Sequence, residues 1–152
     1  PGLIWLPMVV LILILDQASK YLILQQMSYG ESIKLIPFLN FTLSYNPGVA
    51  FGWFRNSGLS MPWGLLIVTG LISVGLLIWL LRTPRVLWLQ SLGVAWIVGG
   101  ALGNWLDRLL RGSVVDFIDF YINHWHFHTF NVADSFITLG AACLILSTWV
   151  HQ

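Results

Sequence analysis

Four stretches of the chain stay predominantly apolar for about 20 residues, the length an α-helix needs to cross a hydrocarbon core of about 30 Å. They run from about Leu3 to Leu24, Met61 to Leu81, Val86 to Trp105 and Phe130 to Val150. The second and third are separated only by Arg82-Thr83-Pro84-Arg85, which predicts an antiparallel helical hairpin broken at the proline. The other two connections, residues 25–60 and 106–129, are long enough to carry structure of their own. In the first, Leu39, Phe41, Leu43 and Tyr45 alternate with Phe38, Asn40, Thr42 and Ser44, the period of a strand. Asn46-Pro47-Gly48 then reads as a turn, after which Val49 to Phe54 returns as a second apolar stretch. The expected fold is a membrane all-α protein with a small β element. It comprises four transmembrane helices and a sheet-like extramembrane loop, in one integral membrane domain over residues 1–152.

Counting crossings places the end of the first span, both long loops and the start of the fourth span on one membrane face. Asp16, Asn46, Asp107, Arg108, Asp116 and Asp134 are thereby expected to converge. The termini and the Arg82 to Arg85 turn share the other face, and the density of basic residues in that short turn favours it as the inside. Tryptophans follow the same layering: Trp53, Trp63, Trp105 and Trp125 fall toward the loop face, and Trp5, Trp79, Trp88 and Trp149 toward the other. The run from Leu3 to Leu15 lacks a basic leader and a small-residue cleavage site, and is read as a retained span. Gly99, Gly100 and Gly103 predict a close helix approach in the third span.

Composition narrows the function classes. The chain is 57% hydrophobic and 9% charged with nine tryptophans, values of a membrane protein. A net charge of +1, with Lys20 and Lys34 its only lysines, provides no basic patch for nucleic acid, and none is expected as a partner. The single cysteine, Cys143, excludes an internal disulfide and reads as helix packing.

Against this background the few acidic groups stand out, because ionisable residues beside bilayer-spanning segments are costly and mark function by default. Five are aspartates: Asp16, Asp107, Asp116, Asp119 and Asp134. Asp116 in V-V-D-F and Asp134 in N-V-A-D have apolar surroundings, and one returning loop joins them. Two adjacent carboxyls in a low-dielectric site share a proton. The ionised one then accepts a proton from water while the protonated one polarises a scissile carbonyl, without metal or covalent intermediate. A hydrogen-bonded structural pair, or a helix cap at Asp134, is the alternative reading.

Asn104, Asp107 and Arg108 share a helical face. Arg108 is suited to hold a peptide carbonyl, and Asn104 with Asn131 to bond an extended backbone; an internal ion pair of Arg108 with Asp107 or Asp119 competes. Asp16 and Lys20 read as an anchoring i, i+4 pair with Lys20 snorkelling to the interface. His124, His126 and His128 would share one face of a strand, the best case for a metal with Asp116 or Asp134 nearby, but the H-E-x-x-H motif is absent and interfacial surface is the preferred reading. No metal or other cofactor is expected. Ser113 and Ser135 lack a G-x-S-x-G setting. A proton-coupled transporter or channel subunit is the rival class, since buried aspartates also form proton relays, but it calls for carboxylates spread through the bilayer rather than gathered at one face.

The ordered set D-Q-A-S-K (Asp16 to Lys20), Y-N-P-G-V-A-F (Tyr45 to Phe51), G-G-A-L-G-N-W-L-D-R (Gly99 to Arg108), V-V-D-F (Val114 to Phe117) and F-N-V-A-D-S (Phe130 to Ser135) closely resembles the bacterial lipoprotein signal peptidases, the type II signal peptidases. The resemblance implies a four-helix aspartic endopeptidase of the inner membrane, with cytoplasmic termini and an active site near the periplasmic face. It implies a prolipoprotein substrate whose cysteine carries diacylglycerol, held in membrane lipid and cut just before that cysteine. By motif, Asp116 and Asp134 are the catalytic pair, and Asn46, Gly48, Asn104, Arg108, Asn131 and Ala133 line the substrate site. Asp16, Lys20 and Asp107 are structural in this comparison. H-W-H-F-H (His124 to His128) is not part of the family pattern.

Overall fold

The computed structural model describes residues 1–48 and 63–150. The apolar return at Val49 to Phe54, Trp53, and the first two residues of the expected second span lie outside them. A short 3-10 turn, Gly2–Trp5, leads into helix α1 (Leu6–Gln26); strands β1 (Ser32–Ile36) and β2 (Leu39–Asn46) follow. Helix α2 (Trp63–Arg82) and helix α3 (Trp88–Arg111) form the expected hairpin around Pro84. Strand β3 (Val114–Ile122), strand β4 (Trp125–His126) and helix α4 (Val132–Val150) complete the described chain.

Among the described residues three helical segments, Gly2–Gln26, Trp63–Arg82 and Val132–Val150, are long and apolar enough to cross a membrane. They present outward rows such as Leu11 and Ile14 on α1, Ile67 and Leu71 on α2, and Ile145 and Leu146 on α4. Helix α3, at 24 residues, is as long but less apolar. It packs against α1, α2 and α4, and its inner face buries Ser91, Gly93, Gly99, Gly100, Gly103, Asn104 and Asp107 together with valines and an alanine. Small residues there let neighbouring backbones come close without bulk. The close contact of α3 with α4 includes a pair the sequence did not single out. A Cβ on Gly93 would lie 2.7 Å from the Gly140 carbonyl oxygen, and one on Gly140 would lie 2.6 Å from that of Gly93. Gly140→Ala is expected to destabilise the fold by about 1–3 kcal/mol through overpacking, seen as a lower unfolding temperature of the detergent-purified protein. An unchanged temperature would mean the helices part without cost.

Several boundaries differ from the sequence expectation. Helix α3 continues to Arg111, about two turns beyond Trp105, and stops at Gly112, whose φ of 78° is the left-handed conformation of a helix terminator. Trp105 is therefore inside the helix, donating its indole N–H to the Leu66 carbonyl at 2.9 Å. Asp107 and Arg108 are helical residues too.

The sheet is larger than the alternation in the first loop suggested. Among the described residues four antiparallel strands run in the order β1-β2-β3-β4, so both long loops build it. Strand β3 was missed because residues 114–120, buried almost throughout, lack the in-out alternation of a half-buried strand. Ser44 pairs with Asp116 and Asn46 with Val114 across β2 and β3, which sets the asparagine turn beside the first aspartate. The inner side of the sheet seals onto the end of α1 through Ile23, Met27, Leu43, Val115 and Phe117.

Candidate active site

The start of α4 is held by a reciprocal cap. Asn131 precedes the helix and its Oδ1 accepts the Asp134 N–H at 2.9 Å, while Asp134 Oδ2 accepts the Asn131 N–H at 3.2 Å. This is the capping-box geometry, with aspartate in the place usually taken by glutamate or glutamine. The cap is thus Asn131, and Asp134 sits one turn in, where its carboxylate also meets the positive end of the helix dipole. Asp134 Oδ1 is left to accept Asn104 Nδ2 at 2.9 Å.

Asn131 also reaches the other aspartate. Its Nδ2 donates to Asp116 Oδ1 at 2.8 Å and lies 3.1 Å from both the Val115 carbonyl and Asn104 Oδ1. One fully buried residue therefore orients both carboxyls, that of Asp116 through its side-chain amide and that of Asp134 through its backbone N–H. Asp116 and Asp134 line a single cavity of about 540 Å³ with Asn46. Its other walls come from the segment between β4 and α4 and from the first turns of α4, including Ser135 and Thr138.

Asp116 is 3% exposed. Burial, then the neighbouring charge of Asp134, pushes its carboxyl from the usual 3.8 up to about 7, against the opposing hydrogen bond from Asn131. A raised acid favours the folded protein while it is protonated, and that contribution fades as pH rises from about 4 toward 7. Asp116→Asn removes the titration. Its thermal stability relative to wild type is expected to improve steadily between pH 4 and 7 and level off above. A constant difference across that range would show that Asp116 is not buried beside a second charge.

Gly48 follows from the same neighbourhood. Its N–H donates to Asn46 Oδ1 at 2.8 Å, closing a turn at φ 74°, where a side chain is strained. A Cβ there would also lie 3.2 Å from Arg108 Nε and 2.7 Å from Leu65 Cδ2. Arg108 faces a second cavity of about 210 Å³, which it shares with Asn104, Thr69 and Ser73. Its Nε is buried with no hydrogen-bond partner among the described residues.

Beneath the aspartates lies a charge cluster that spacing alone disclosed only in part. Lys20 Nζ sits 2.7 Å from Asp16 Oδ2, as the i, i+4 spacing predicts, and also 2.8 Å from Asp107 Oδ2. All three side chains are fully buried. Lys20 does not snorkel, because two carboxylates and Asn104 Oδ1, at 3.2 Å, complete its donors inside the protein. The cluster also fastens backbone: Asp16 Oδ1 accepts the Ala133 N–H at 3.0 Å, and Asp107 Oδ2 accepts the Val115 N–H at 3.0 Å. Ala133 and Val115 immediately precede Asp134 and Asp116, so the buried ions position the chain on which each aspartate is mounted. Ala133 and Asn131, expected to line the substrate site, are fully buried behind it.

The competing ion pairs of Arg108 do not form. Asp107 pairs with Lys20 and with Arg111 at 2.8 Å, and Asp119 lies 2.8 Å from His126 Nδ1. The three histidines do not share a strand face, since β4 is only two residues long and includes His126 alone. His128 instead lines the cavity with the aspartates, a placement sequence reasoning missed. Among the described residues no three His, Cys, Asp or Glu side chains are grouped to hold a metal ion.

A helical membrane framework capped by a small sheet, with two aspartates in one cavity, defines a membrane protein with a carboxyl-pair site. The family model described as signal peptidase (SPase) II matches residues 8–150, so the chain belongs to the signal peptidase II family and is a peptidase. It is 48% identical to a lipoprotein signal peptidase of Coxiella burnetii, over 93% of this chain and 87% of that one. It is 46% identical to a lipoprotein signal peptidase of Salmonella newport, over 99% and 91% respectively. A solved bacterial membrane enzyme, obtained by the in meso method, superposes with a TM-score of 0.83 at 35% identity. That match covers 95% of this chain and 91% of the other.

Proposed function

We propose that the protein is an aspartic endopeptidase that removes the signal peptide from prolipoproteins by cutting before the diacylglyceryl-modified cysteine. The observation that carries the mechanism is the single cavity lined by Asp116 and Asp134, with Asn131 bonded to both. The names of its relatives support the substrate class. Asp116, its carboxyl raised to about 7, brings a proton at neutral pH and donates a hydrogen bond to the scissile carbonyl. Asp134, oriented by Asn104 and the helix start, takes a proton from the attacking water. Collapse of the tetrahedral intermediate returns a proton to the leaving amine, so the pair ends with the proton count it began with. No metal and no acyl-enzyme take part.

Asn46, Gly48, Asn104 and Arg108 serve the substrate backbone in this reading, Arg108 as donor to a peptide carbonyl. Asn131 and Ala133 act from behind, and Asp16, Lys20 and Asp107 act as scaffold. The lipidated cysteine keeps its acyl chains in the bilayer while the peptide enters the cavity where the helices meet the sheet. The protein sits in the bacterial inner membrane with its sheet toward the periplasm and its termini in the cytoplasm.

Incubation of purified protein with a diacylglyceryl-modified prolipoprotein is expected to release the signal peptide, at a rate unaffected by chelators. The unmodified precursor is expected to remain intact. Equal cleavage of both precursors would remove the lipid from the definition of the substrate, and loss of activity on chelation, restored by zinc, would replace the aspartate mechanism with a metal one.

A further inference from the structure

We propose that His128 is a specificity-determining residue that selects an acidic side chain on the mature side of the scissile bond; this rests on the peptidase reading above. Among the described residues lining the cavity, His128 is the one able to carry positive charge. Asp116 and Asp134 make the cavity anionic, so an acidic substrate side chain is repelled there unless a donor on the wall receives it. The imidazole is available for that role. His126 is engaged with Asp119 and stacked on Tyr121, whereas His128 has no hydrogen bond or ion pair among the described residues.

The wall that carries His128 is held in place. The Phe127 ring lies against the imidazole, with centroids 4.1 Å apart and planes tilted by 32°. The Phe127 N–H donates to the Phe120 carbonyl at 2.8 Å, and the Phe130 N–H to the Ile118 carbonyl at 3.1 Å. Between them, the hydroxyls of Thr129 and Ser44 bond at 2.7 Å. The backbone on both sides of His128 is thus fixed, so binding has only the imidazole rotamer to set, which limits the entropy lost. The segment joins the sheet to the start of α4. With Asn46, Thr129 and Ser135 beside it in the cavity, His128 suits the more polar chain downstream of the modified cysteine rather than the apolar signal segment.

The test uses the full-length protein and three lipidated precursors differing only in the residue after the modified cysteine, as Asp, Asn or Lys. Wild type is expected to prefer Asp over Lys by about three- to fivefold in kcat/KM, the range of an exposed charge pair. His128→Gln is expected to bring the ratio close to one without changing the unfolding temperature, and His128→Lys to restore it. A purely structural His128 would alter all three substrates equally. A wild-type ratio of one, or a preference that persists in His128→Gln, would overturn the proposal. If wild type cleaves none of the three, or Asp134→Asn cleaves them as wild type does, the peptidase reading itself fails and the specificity assignment falls with it.

Discussion

Asp116→Asn and Asp134→Asn are each expected to lower cleavage of a diacylglyceryl-modified prolipoprotein by about a thousandfold or more, since under the proposed mechanism each removes one partner of the proton transfer. The double variant is expected to be little worse than either single one, because in that mechanism the two carboxyls act as a unit. Folding should survive both changes. Asparagine is nearly isosteric; at position 116 its carbonyl can still accept the Asn131 amide, and at position 134 the side chain can still accept the Asn131 N–H. Parallel measurement of turnover and thermal unfolding separates chemistry from structure. A folded variant with wild-type turnover at either position would end the assignment of that aspartate.

Lys20→Met is expected to have the largest effect on stability. The substitution leaves Asp16 and Asp107 fully buried with their shared cation removed, and breaking such a cluster by one member costs about 3–5 kcal/mol. The expected result is a sharp loss of folded protein from detergent extracts. Removing all three charges together, as Asp16→Asn, Lys20→Met and Asp107→Asn, should recover part of the stability, because no uncompensated charge then stays inside. Activity should recover less. The bonds from Asp16 to the Ala133 N–H and from Asp107 to the Val115 N–H position the residues beside the two aspartates, and an asparagine carbonyl accepts them more weakly than a carboxylate. A stable Lys20→Met protein would show that the cluster contributes nothing to the fold.

These expectations differ from a reading of D-Q-A-S-K by itself. Spacing identifies Asp16 and Lys20 as partners but cannot show that Asp107, 87 residues further along, closes the cluster. It suggests a snorkelling lysine at an interface, whereas packing against α3 buries the ammonium completely. The same holds for His128. Alternation in H-W-H-F-H suggested a shared face, but that reading requires an extended strand, and β4 ends at His126.

Apolar run lengths and the proline at the hairpin were enough to determine the helical framework, because both are local, and the ordered motifs were enough for the family. Crossing count placed Asp116 and Asp134 on one face, and they line one cavity. Helix α3 departs from the simplest membrane pattern for a physical reason: surrounded by α1, α2 and α4, it needs small and polar residues rather than a uniformly apolar surface. What only the tertiary structure decided is how distant segments share ion pairs and hydrogen bonds. Asn131 orients both aspartates, Lys20 neutralises carboxylates from two helices, and both long loops join one sheet. Sequence periodicity records which face of an element is buried; it does not record which partner that face meets.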